Sequence, residues 1–79
     1  MNRKEALAAM GALLEIPAKD LREDLKPMDV ETWDSLGHIN ILAFLDNAFG
    51  ISLSVDEMGK VTSLKSVLDI IEERGGFSG

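Results

Sequence analysis

Seventy-nine residues make room for one small domain with a thin core, which leaves little space for a deep enzyme cleft. Apolar residues at 46% and charged residues at 28% are a globular composition, and neither Gly nor Pro is frequent enough for a disordered chain. Fourteen acidic against eight basic side chains leave a formal charge of −6, which repels nucleic acid and anionic membrane and points to partner proteins with basic patches.

Met1 to Glu5 include two basic residues, but the apolar run behind them is short, Ala-rich and interrupted by Gly11. It reads as an amphipathic helix and not as a signal peptide. Leu7, Met10, Leu13 and Leu14 recur at spacings of three and four, which predicts a first helix over about 4–16 with these side chains on one side. Pro17 is expected to end it, since the residue before a proline is biased out of the helical region. From Pro17 to Asp34 runs a long connection with five acids, Asp20, Glu23, Asp24, Asp29 and Glu31, interleaved with Leu21, Leu25, Pro27, Met28 and Val30. The spaced apolar residues predict a loop packed across the core, with a turn of helix near Leu21 to Leu25. A solvated acidic strap is the alternative. A connection this long is uncommon in a small domain and is often functional.

A second helix is expected over 35–49, where Leu36, Ile39, Ile41, Leu42, Phe44, Leu45, Ala48 and Phe49 form a wide apolar stripe and Gly50 suits a left-handed cap. Gly37, Asn40, Ala43, Asp46 and Asn47 make the other face, with a single charge among them, so this face is a nearly neutral surface for a partner. Ser54-Val55-Asp56-Glu57 fits a capping box that starts a short third helix over about 55–60. Val61-Thr62-Ser63 breaks the chain again. Leu64, Val67, Leu68, Ile70 and Ile71 then follow helical spacing over about 63–74, and residues 75–79 read as a frayed tail. No strand pattern competes, and no stretch approaches the ~20 apolar residues that cross a bilayer. The fold class expected is all-α, a small four-helix bundle with a short third helix and a long first loop, a single domain over 1–79.

With no cysteine and one histidine, the chain has no thiolate of its own, no disulfide, and almost no means of holding zinc. The chemistry that remains gathers at Trp33-Asp34-Ser35-Leu36-Gly37-His38. Ser35 opens the second helix, where backbone N–H groups lack partners and the helix dipole is positive, so an oxygen there is well placed to carry a phosphate diester. A plain helix cap at Ser35 or Asp34 is the alternative.

Asp34-Ser35-Leu36 opening an apolar helix after a long loop, followed by Phe49-Gly50-Ile51 and by Val61-Thr62-Ser63-Leu64, resembles the acyl carrier proteins and related peptidyl carrier domains, over about Glu5 to Glu73. The resemblance implies that Ser35 carries 4′-phosphopantetheine, transferred from coenzyme A by a separate Mg-dependent phosphopantetheinyl transferase. The arm then brings the thiol that the chain lacks, and acyl, aminoacyl or peptidyl units ride on it as thioesters. It implies partner recognition through Asp34, Leu36, Asn40, Ala43 and Val61, and makes Leu45, Val61, Leu64 and Ile70 candidates to line an acyl pocket, with plain core packing as the alternative for each. Its partners would be the transferase and acyl- or aminoacyl-loading ligases or synthases. A cytoplasmic, monomeric, non-catalytic protein without a metal site is expected. The second helix departs from the strongly acidic pattern of fatty acid carriers: its first acid is Asp46, so electrostatic steering by this helix is weak. With Trp33 and Gly37-His38, that looks more like a free-standing carrier of a specialised pathway than one of fatty acid synthesis. An unmodified, carrier-like helical interaction module remains the other reading.

His38 lies one turn from Ser35, and a Ser-His pair raises the question of a hydrolase. The nucleophile elbow wants Gly two residues to each side of the serine; Gly37 is present, Trp33 occupies the other place, and no orienting group follows. His38 reads as a surface residue near the arm or a partner. Trp33 either packs the end of the connection onto the helices or stands beside the arm, and packing is the reading preferred.

Overall fold

Each helix starts where a side chain takes up an orphaned backbone amide. In the computed structural model, which describes residues 1–78, Asn2 accepts from the Glu5 amide at 2.8 Å while the Glu5 carboxylate accepts from the Asn2 amide, and α1 runs Arg3–Leu13. Asp34 opens α2, Ser35–Phe49. Ser54 and Glu57 box the start of α3, Val55–Met58, and Ser63 and Ser66 that of α4, Leu64–Glu73. Four helices and no strand among the described residues make an all-α bundle, in which α1 packs against both α2 and α4. The radius of gyration, 11.5 Å, matches the roughly 11.6 Å expected for one compact domain of this length.

The first helix stops three residues before its expected end, and Pro17 is not the cause. Glu15 adopts a left-handed conformation, φ 58°, so that its amide reaches the Ala12 carbonyl at 3.2 Å and the Ile16 amide reaches Gly11 at 2.8 Å. This is a Schellman closure with a non-glycine residue at the strained position, at a cost of about 1–2 kcal/mol. Gly75 closes α4 in the same way at φ 68°, and Gly50 ends α2 at φ 66° as its position suggested. The third helix ends at Met58, with Gly59 as its cap, two residues short of expectation.

The long connection is packed, not solvated: Leu25, Val30 and Trp33 are buried. Its helical turns fall at Ala18–Asp20 and Pro27–Asp29 rather than near Leu21 to Leu25, because Pro17 and Pro27 each prepare a 3-10 turn. Met28, read as one of the packed apolar residues, is 97% exposed on the second turn. The backbone of this strap caps α4: the Leu64 amide donates to the Leu25 carbonyl at 3.0 Å and the Lys65 amide to Glu23 at 2.7 Å. Arg3 then fastens the strap from the outside, donating from Nε and Nη2 to both oxygens of Glu23 and from Nη2 to Asp69 on α4 at 2.9 Å.

Of the wide stripe on α2, only Ile41 and Leu45 are fully buried, joined by Gly37 one turn earlier. Gly37 therefore leaves the exposed face assigned to it. It sits where the strap crosses α2, and a Cβ there would overlap the Thr32 carbonyl oxygen. Gly11 is a similar contact, with the Leu21 side chain 2.8 Å from where its Cβ would be. The C-terminal residues are not frayed. Phe77 meets Phe49 edge-to-face at 5.8 Å, and the Ser78 amide donates to the Met1 carbonyl at 3.2 Å; Gly79 lies outside the described residues.

Two outcomes follow from these contacts. Gly37→Ala is expected to lower the free energy of unfolding by about 3 kcal/mol in urea titration, because the Thr32 backbone must move to admit a methyl group. Hydrogen bonds from Arg3 hold the Glu23 and Asp69 carboxyls below their ordinary values of 4.5 and 3.8. Their contribution is full above those values and fades as the pH falls through the depressed ones, so the melting temperature should decline on acidification below about pH 4. Arg3→Gln should flatten that decline.

Candidate functional site

The start of α2 settles which residue is the cap. Asp34 is extended, φ −90° and ψ −161°, and its Oδ1 accepts from the Gly37 amide at 3.0 Å. Ser35 is the first helical residue, exposed, and its hydroxyl forms no hydrogen bond among the described residues. The amides of Ser35 and Leu36 likewise have no protein partner there, and no acid follows in the first helical turn. The result is a free hydroxyl beside two free N–H donors at the positive end of a fifteen-residue helix, an arrangement suited to an esterified anion.

Large apolar side chains are exposed on α2 close to Ser35. Leu36, expected on the partner-facing surface, is 65% exposed, Ile39 of the apolar stripe is 59% exposed, and Val55 and Met58 on α3 are exposed as well. Asp34, Asn40 and Ala43 are also on the surface, with His38 half-buried. Val61 is not. It is buried in the core, since its segment turns inward before Ser63 caps α4, so it offers a partner no accessible side chain. Leu45, Val61 and Leu64 share that core, and Ile70 packs against it.

Clefts indent the surface of the described residues. One of about 550 Å³ lies between the end of α1 and the strap, with Glu15, Asp20, Asp29 and Glu31 on its walls; neither Asp34, Ser35 nor Leu36 borders it. A groove of about 320 Å³ separates Ile39, Leu42 and Ala43 on α2 from Leu53 and Met58. The third, about 220 Å³, lies between the end of α1, Thr32 and the Leu36, Gly37 and Asn40 arc of α2, and Ser35 is not in its wall. None of the three is lined by Leu45, Val61, Leu64 or Ile70.

Trp33 packs at 3% exposure, as preferred, with its indole Nε1 buried and unpartnered. Just before it, the Thr32 hydroxyl donates to the Leu14 carbonyl and so ties the strap to the end of α1. Sequence reasoning missed Thr32 and Glu15; the only signal was the Ile16-Pro17 break, which marks a helix end without saying what the chain does there. Near α3, Glu57 is held down to about 2, chiefly by the Ser54 amide and then by Arg74, which joins α3 to the end of α4. Among the described residues no group of three His, Asp or Glu side chains is placed to hold a metal ion, and no helix is long and apolar enough to cross a membrane.

In comparisons with protein-family models, with curated proteins and with solved structures, nothing matches this chain.

If Asp34 alone caps α2, Asp34→Ala should cost about 1 kcal/mol of stability in urea melts, while Ser35→Ala should change it by less than about 0.5 kcal/mol. Equal losses would mean that the serine hydroxyl shares the capping.

Proposed function

We propose that this chain is a carrier protein of the acyl carrier type, with 4′-phosphopantetheine esterified to Ser35. The observation that carries the reading is the division of labour at α2: Asp34 does the capping, so the neighbouring hydroxyl stands exposed and unspent. That fits the group on three counts: a hydroxyl open to a modifying enzyme, two amides near the phosphate's place, and a helix dipole of the right sign. Loading joins Ser35 Oγ to the pantetheine-side phosphorus of coenzyme A. The bond to the adenosine-side phosphate breaks, the hydroxyl loses its proton, and 3′,5′-adenosine diphosphate leaves; a separate Mg-dependent transferase performs the step. Once bound, the group supplies the thiol on which acyl, aminoacyl or peptidyl units are carried as thioesters.

This chain's own contribution is presentation. Asp34 fixes the first turn, and Leu36, Asn40 and Ala43 give the transferase and the loading ligase or synthase an exposed face. Because α2 has no acid in its first turn, docking there relies on apolar contact with Leu36 and Ile39 more than on steering. That favours a specialised pathway over fatty acid synthesis. A monomeric, cytoplasmic carrier without catalysis of its own completes the proposal.

A second reading, a helical interaction module that is never modified, draws on the exposed Leu36, Ile39, Val55 and Met58, which suit a protein partner whether or not Ser35 is loaded. Mass spectrometry separates the two. Incubation with coenzyme A, Mg²⁺ and a broad-specificity transferase should add the mass of one arm to the wild type and nothing to Ser35→Ala. A wild-type mass that does not change overturns the carrier.

A further inference from the structure

The cleft between the end of α1 and the strap has no part in the Ser35 surface, since Asp34, Ser35 and Leu36 are all outside its wall. At about 550 Å³ it falls within the roughly 300–1,000 Å³ of pockets that hold a ligand. Leu14, Leu25 and Val30 line it with the edge of the core, and the half-buried Ile16 and exposed Pro17 carry that apolar strip out toward water.

Four carboxylates share the wall, each from a different part of the chain: Glu15 after α1, Asp20 on the first 3-10 turn, Asp29 on the second and Glu31 just beyond it. All four are exposed, and none pairs with a cation among the described residues. The one base in the wall, Arg22, is already engaged by Asp24 at 2.8 Å. α1 also ends here with no basic residue in its last turn, so the negative end of its dipole adds to the same field.

We propose that this cleft docks a short basic segment of a partner protein, with aliphatic side chains on the apolar strip and Arg or Lys heads against the four carboxylates. Charge complementarity sets the sign of the occupant. The apolar strip asks for more than charge: the methylene stems of Arg and Lys and a neighbouring aliphatic side chain cover it, whereas a free polyamine satisfies the acids and leaves Ile16 and Pro17 wet. Met28, the chain neighbour of Asp29, is 97% exposed and gives the same segment an apolar contact at this edge. The proposal stands apart from the carrier reading, because no residue of the Ser35 surface takes part. A partner held here leaves the Ser35 hydroxyl outside the contact and raises its own local concentration at this domain.

Titration of the isotopically labelled full chain with a capped synthetic peptide that alternates Arg and Leu, followed by amide shifts, is the test. Saturable changes gathered at Glu15, Asp20, Asp29 and Glu31 are expected. Neutralising the cleft with Glu15→Gln, Asp20→Asn and Glu31→Gln together should weaken binding by about tenfold, while Asp46→Asn, Asp56→Asn and Glu73→Gln, which remove the same charge elsewhere, should weaken it by less than about twofold. Equal losses in the two triple variants, shifts centred outside the cleft, or no saturable shift overturn the proposal. So does equally tight binding of spermine or of a peptide with Ser in place of Leu, either of which reduces the cleft to a site for charge alone.

Discussion

The contact on which the rest of this structure depends is the approach of the Thr32 carbonyl to the bare Cα of Gly37. A strap of some twenty residues has to leave the end of α1, cross the bundle and enter α2 with its last residues held. With any side chain at position 37 the strap stands off, and Asp34 loses the position from which it caps the helix. The Thr32 hydroxyl on Leu14 fastens the other side of the crossing. Together these contacts leave Ser35 at the surface as the first residue of α2.

Charge is distributed so as to leave that surface uncommitted. Some acids are consumed in structure: Glu23 of the strap and Asp69 of α4 are pinned by Arg3, and Glu57 of α3 by Arg74 and its own capping box. The helix bearing Ser35 has no acid in its first turn. That end of α2 presents a positive helix terminus with Leu36 and Ile39 exposed beside it.

Much of the fold was legible in the chain. The limits of α2 were read correctly from the apolar pattern and Gly50, and the start of α3 from Ser54 and Glu57, because caps and spacing are local and carry their own physical cause. The end of α1 was not, since a left-handed Glu15 breaks the preference that makes Gly recognisable at such a turn. Nor was the docking of Phe77, an aromatic pairing with Phe49 across twenty-eight positions of sequence that no local pattern announces.

The amino-acid sequence by itself determined that this is a small all-α domain, that Ser35 opens its longest helix, and that the chain has no thiol of its own, because periodicity, capping and composition are legible residue by residue. Only the tertiary structure decided which arc of α2 faces inward. Leu36, Ile39, Ile41 and Leu45 are equally apolar on paper, and a helix apolar nearly all round has no preferred inner side until its neighbours are in place. α1 and the strap cover the arc of Gly37, Ile41 and Leu45. Leu36 and Ile39 are thereby left in water beside a free hydroxyl, and Val61 is turned into the core.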